Sequence, residues 1–174
     1  GGTTTDFGVI KEGFPRESAI PVDIGGVRTN FRMPDLISIG LGGGSLVRET
    51  NDGVSVGPDS VGYKLDSESL IFGGNTLTTS DIAVASGDVN FGDKNKVSHI
   101  NTKMIKKTQD EIKSMIEDGI DRVKLNKESV PVILVGGGSV LVNSDLKGAS
   151  EVLIPKHSDV ANAIGASLAQ AGGE

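Results

Sequence analysis

The chain has 174 residues, 36% of them apolar, and a formal net charge of −6 from 17 basic and 23 acidic side chains. That length favours a single domain with a proper buried core, and no apolar run approaches the roughly 18 residues that suggest a membrane span. The acidic balance and 3% aromatic content argue against nucleic acid, whose binders carry a basic footprint and stacking rings.

In chain order, a glycine-threonine loop leads into Phe7-Gly8-Val9-Ile10, a short strand. Val27 to Met33 alternates apolar and polar positions, the period of a half-buried strand. Leu36-Ile37-Ser38-Ile39 is a third strand and runs into Gly40-Leu41-Gly42-Gly43-Gly44-Ser45. Asn51-Asp52-Gly53 is a turn signal that would pair Ser45–Arg48 with Val54-Ser55-Val56. Gly57-Pro58-Asp59 is expected to break that strand, and Thr79 or Ser80 to cap a short helix through Asp81–Ser86.

The second half changes character. Met104, Thr108, Ile112, Met115, Ile116, Ile120 and Val123 recur at three- and four-residue steps, one face of a long amphipathic helix from Asn101 to Lys124. Pro131-Val132-Ile133-Leu134-Val135 is apolar without alternation, the pattern of a strand buried on both faces. Gly136-Gly137-Gly138-Ser139 ends it. Val152-Leu153-Ile154 reads as another strand. Ser158 then caps a final helix carrying Val160, Ala161, Ile164, Leu168 and Ala171, stopped by Gly172-Gly173. The predicted fold class is α/β, a mixed sheet with flanking helices in one domain over residues 1–174.

Glycine is the compositional outlier, 25 residues in short clusters beside apolar runs, about twice the usual ~7%. Gly1-Gly2-Thr3-Thr4-Thr5-Asp6 combines free backbone N–H donors with three hydroxyls, as an anion cradle does, and Asp6 could orient a magnesium-bound water. The same six residues also fit a frayed terminal loop. Gly136-Gly137-Gly138-Ser139 would let a flat ring lie on the backbone, or serve as a tight strand-to-helix turn. Gly40–Ser45 does not fit a dinucleotide fingerprint, because Ser45 stands where the third glycine belongs and a turn follows instead of a helix. A sharp turn inside the sheet is expected there.

There is no Gly-Lys-Ser/Thr phosphate loop and no Gly-x-Ser-x-Gly elbow. His99 and His157 are isolated in polar surroundings, which argues against a metal triad. Arg16, Arg28 and Arg32 flank apolar strands, where arginines that could bind a carboxylate usually do not. The chain contains no cysteine, which excludes disulfides and thiolate metal sites. With no signal-peptide pattern and no glycosylation sequon either, a cytoplasmic setting is expected.

Taken in order, Gly1–Asp6, Gly25-Gly26-Val27-Arg28-Thr29, Ser38–Ser45, Val56-Gly57-Pro58-Asp59-Ser60-Val61-Gly62-Tyr63, Phe72-Gly73-Gly74 and Thr76-Leu77-Thr78-Thr79-Ser80-Asp81-Ile82-Ala83 resemble the hydantoinase A/oxoprolinase family. Asn162-Ala163-Ile164-Gly165-Ala166 matches that family's last core helix. The resemblance implies an actin-like ATPase fold built from two ribonuclease-H-like lobes with ATP and Mg2+ between them, of which this is the second, adenosine-side lobe. It implies that Gly1, Gly2, Thr3, Thr4, Thr5 and Asp6 form the second phosphate loop. Gly136, Gly137, Gly138 and Ser139 would then contact adenosine, and Gly165 would allow close helix packing.

Members of the family carry a strand before this loop and an N-terminal lobe with a first phosphate loop. Here the chain begins on the loop and stops at Glu174. It is therefore expected to be a lobe truncated at both ends and inactive alone, with the N-terminal lobe of the same parent chain as partner and a second hydantoinase subunit as a further candidate. The expected function is the ATP-binding part of a cyclic amide hydrolase that opens a hydantoin or 5-oxoproline ring. The alternatives are a non-catalytic nucleotide-responsive or assembly lobe, and a small-molecule kinase lobe.

Overall fold

The computed structural model describes residues 2–18, 23–24, 27–28, 33–142 and 145–168. Strands dominate the first part: β1 (Thr5–Gly8), β2 (Ile10–Lys11), β3 (Phe14–Pro15), β4 (Asp23–Ile24), β5 (Val27–Arg28), β6 (Leu36–Ile39), β7 (Ser45–Thr50) and β8 (Gly53–Ser60). Helices α1 (Leu65–Glu68), α2 (Thr79–Ser86) and α3 (Thr102–Val123) follow, then β9 (Val130–Ile133), β10 (Ala149–Leu153) and α4 (Ala161–Leu168). The architecture is mixed α/β, but the expected single mixed sheet is not what forms. Among the described residues the strands make five two-stranded sheets: β1–β6, β2–β3, β4–β5 and β7–β8 antiparallel, and β9–β10 parallel.

Helix α3 organises the core. The Asn101 side chain caps its start by accepting from the Met104 N–H at 2.8 Å, and its predicted span is the helix plus its two caps. The stripe read from the spacing is the buried one: Thr108, Ile112, Ile116, Ile120 and Val123 face inward. They meet Phe7 of β1, Leu41, Val47 of β7, Val56 of β8, Ile82 of α2 and Leu146. Gly119 lies on the same face. A Cβ there would collide with the Phe7 ring, so only glycine lets β1 lie directly on the helix. A smaller cluster of Ile71, Val84 and Val97 packs separately.

The β7–β8 hairpin closes at Asn51-Asp52-Gly53 as the turn residues dictate, with Thr50 opposite Gly53. Gly57-Pro58-Asp59 does not break β8. Val47 pairs with Val56 and Ser45 with Ser60, so three residues of β8 oppose one of β7. Pro58 sits in that bulge, where its missing N–H removes no ladder bond. The bulge carries Pro58 against Gly40, whose absent Cβ would lie 2.6 Å from the Pro58 Cβ.

Two further expectations are corrected. Pro131–Val135 is not buried on both faces: Val132 packs on the core, whereas Ile133 is 52% and Val135 56% exposed. Its strand has β10 as its one neighbour among the described residues, and its burial alternates, so Val132 lies on a covered face and Ile133 on an open one. The final helix starts as a 3-10 turn over Ser158–Val160, so Ser158 lies inside the turn and His157 stands at its N-cap, with no side-chain capping bond. Residues 162–167 are exposed, and nothing lies within 4 Å of a Cβ placed on Gly165, so this glycine does not serve close packing among the described residues.

Several predicted features lie outside the described residues. These are the Gly25-Gly26 pair, the part of the Val27–Met33 strand from Thr29 to Arg32, and the terminal Ala171 and Gly172-Gly173. No helix among the described residues is long and apolar enough to cross a membrane.

Candidate functional site

Gly1 lies outside the described residues. Gly2, Thr3 and Thr4 are exposed and lead into β1, where Thr5 is half-buried, Asp6 exposed and Phe7 buried. Alternation therefore turns Asp6 outward while Thr5 and Phe7 anchor the strand. The Thr5 hydroxyl donates to the Leu41 carbonyl at 2.7 Å. The Gly2 carbonyl accepts from the Gly44 N–H at 2.9 Å. Opposite Asp6 in the ladder stands Ser38 of β6, whose hydroxyl donates to Asp6 Oδ1.

The loop Gly40–Ser45 is the joint behind this segment. Its Gly43 carbonyl accepts from both the backbone N–H (3.0 Å) and the hydroxyl (2.8 Å) of Ser80, and its Gly42 carbonyl accepts from the Thr79 hydroxyl. Ser45, fully buried, accepts from the Gly42 N–H at 2.9 Å. The turn predicted from sequence is present, but it joins the β1–β6 sheet to the β7–β8 sheet instead of lying inside one, and its second role was missed. It bonds to the Gly2–Asp6 segment on one side and to the start of α2 on the other. The signal lay in Thr78-Thr79-Ser80, which carries more hydroxyls than one helix cap uses.

That cap is Thr78, one residue before the predicted Thr79 or Ser80. Its hydroxyl faces Asp81, and Asp81 reaches back to the Thr78 backbone in a reciprocal capping box. Asp81 is completely buried. It accepts from Ile71 N–H at 2.8 Å, Thr78 N–H at 2.7 Å and the Thr78 hydroxyl at 2.8 Å.

Gly136–Ser139 follows β9 as a turn. Gly136, at φ +88°, donates its N–H to the Ser158 carbonyl at 2.6 Å, and the Ser139 N–H returns to Gly136 at 3.1 Å. The segment Gly137–Leu141 packs against α2 and against the Ser158–Val160 turn. Helix α2 thus meets the second loop directly and the first through the Gly40–Ser45 joint. A Cβ placed on Gly2, Gly136 or Gly137 meets nothing within 4 Å, so the space beside these backbones is open.

Among the described residues no three His, Asp or Glu side chains gather as a metal-binding set. A single outward carboxylate such as Asp6 still suits Mg2+, which typically takes one or two carboxylates and fills its shell with water and phosphate oxygens. Arg16 does bind a carboxylate, but its own chain's. Its guanidinium meets Asp35 at 2.8 Å and also donates to the Val123 carbonyl at 3.3 Å, closing the end of α3. The Arg28 side chain and all of Arg32 lie outside the described residues. A depression of about 340 Å³ is lined by Thr50, Asp52, Gly53, Val54, Lys107, Asp110 and Glu111. It sits at the hairpin tip, five residues along β7 from Ser45 and so about 17 Å from the glycine joint.

The sequence model of the hydantoinase/oxoprolinase family matches residues 1–93, just over half of the chain, from the glycine-threonine loop through α2. No curated protein sequence matches. Among solved structures, the nucleotide-free structure of acetone carboxylase, described for ATP-dependent acetone carboxylation, aligns at a TM-score of 0.66 and 21% identity. The alignment covers 95% of this chain and 27% of that one, so this chain spans about a quarter of the length of the carboxylase chain. At that identity the likeness concerns the fold. The family match, over the segment that carries the exposed Gly2–Asp6 loop and its glycine joint, is the stronger finding: the chain belongs to the hydantoinase/oxoprolinase family.

Proposed function

We propose that this chain is the ATP-binding lobe of an ATP-dependent enzyme that cleaves the C–N bond of a cyclic amide of the hydantoin or 5-oxoproline class. In this reading it is one ribonuclease-H-like lobe of an actin-like core, and the facing lobe comes from the same parent chain. The observation that carries the reading is the placement of Gly2–Asp6, exposed at the start of β1 and backed by the Gly40–Ser45 joint inside the family-matched segment. Gly2, Thr3 and Thr4 offer backbone and hydroxyl donors to phosphate oxygens, and Asp6 takes the magnesium side. Gly136–Ser139 lies along adenosine, with Gly137 contributing backbone alone. ATP, when bound, supplies the driving force for opening a resonance-stabilised amide.

Gly137→Val tests the adenosine side. Gly137 is not in the left-handed region and nothing lies within 4 Å of its Cβ position, so valine is compatible with the fold. Its branched side chain fills the space assigned to the nucleotide. ATP affinity in the intact parent protein, titrated by calorimetry, is expected to fall roughly tenfold or more, about 1.4 kcal/mol. Unchanged affinity with an unchanged circular dichroism spectrum would move the adenosine site elsewhere.

A further inference from the structure

We infer that Ser38 is a positioning residue for Asp6, holding that carboxylate in the orientation in which it meets a magnesium-bound nucleotide. The inference rests on the reading of Asp6 proposed above and adds a residue to it. Strand register places the two side chains directly opposite each other, Asp6 against Ser38, between the pairs Thr5–Ile39 and Phe7–Ile37. Directly opposed residues share a face, and both of these are exposed. The Ser38 hydroxyl donates to Asp6 Oδ1.

The frame behind the pair is fixed from the other side. Thr5 is bonded to the Leu41 carbonyl, the Phe7 ring lies on Gly119 of α3, and Ile37 and Ile39 pack on the core. The geometry of Asp6 and Ser38 is therefore set by two anchored backbones and not by their exposed contact alone. Aspartate is depleted in strands, because its short side chain competes for local backbone bonds. A donor on one carboxylate oxygen limits that freedom and leaves the second oxygen for a metal-bound water.

The test measures ATP affinity by calorimetry in the intact parent protein, with Mg2+ and without it, for Ser38→Ala, Ser38→Thr and Asp6→Asn. Ser38→Ala is expected to weaken binding about tenfold in the presence of Mg2+, the scale of one hydrogen bond to a charged group. Binding without metal should stay unchanged. Ser38→Thr keeps the hydroxyl and suits a strand, so it should restore Mg2+-dependent affinity to within about twofold. Equal losses with and without Mg2+ in Ser38→Ala would mean a general structural role and overturn the inference. So would an unaltered Ser38→Ala beside an Asp6→Asn variant that loses its Mg2+ dependence. An Asp6→Asn variant that keeps that dependence would remove the proposed role of Asp6 itself, and the inference with it. Thermal unfolding of each variant confirms that the compared proteins are folded.

Discussion

Asp81→Ala is expected to destabilise the fold by about 3 kcal/mol or more, read as a lower urea midpoint. The aspartate is fully buried and its two oxygens accept three hydrogen bonds, from Ile71 N–H, Thr78 N–H and the Thr78 hydroxyl. Alanine removes every acceptor and leaves those donors in a space without water. Each unsatisfied buried donor costs about 1–3 kcal/mol, and relaxation around the smaller side chain recovers only part of the sum. The change also opens the capping box of α2, a device worth about 1 kcal/mol by itself. Asp81→Asn retains one acceptor oxygen and should fall between wild type and alanine. A loss below about 1 kcal/mol for alanine would mean that other groups satisfy these donors. The defect would not stay local, since Thr79 and Ser80 at the start of α2 hold the carbonyls of Gly42 and Gly43.

Ile116→Ala should cost about 2–5 kcal/mol, the range for deleting a buried aliphatic side chain and leaving a cavity. Ile116 is 3% exposed, one helical turn from both Ile112 and Ile120, and belongs to the cluster that includes Phe7, Val47 and Val56. The members of that cluster come from α3, β1, β7 and β8, which cannot all move inward to fill the gap. Ile116→Val removes one methylene and should cost about 0.5–1.5 kcal/mol, so the two variants together separate cavity size from general disruption. Met115, next in sequence but only partly buried, is the internal control and its alanine variant should cost less. Equal losses at 115 and 116 would contradict the deeper burial of Ile116 on the shared inward face.

Both variants test what periodicity reveals. The seven positions that mark α3 in the sequence lie on its inward side, because a stripe at three- and four-residue steps has one physical solution in a long helix. The hairpin was legible for a similar reason, since Asn51-Asp52-Gly53 supplies a turn and the flanking residues alternate. Pro131–Val135 was not. An unbroken apolar run states that both faces can be covered, not that both are, and the sequence does not say what lies above Ile133 and Val135. Pro58 misled in the opposite direction, because a bulge gives proline a place inside a strand. At the candidate site, the glycine loops were visible as motifs. The bonds from Thr79 and Ser80 to Gly42 and Gly43 join residues 37 apart, and no local pattern encodes such a separation.

The contact between Phe7 and Gly119 divides the first strands by how they can open. β1 cannot leave its place without freeing the Phe7 ring from Gly119, near the C-terminal end of a 22-residue helix packed across the core. The ladder amides of β1 should therefore exchange with solvent deuterium only at the rate of near-global unfolding, whereas those of the fully exposed β2–β3 ribbon should exchange through cheap local opening. Thr5 stands at the boundary. In the proposed reading the exposed glycine-threonine segment before it adjusts to a phosphate's oxygens, while Asp6, one residue later, inherits the slow clock of the core.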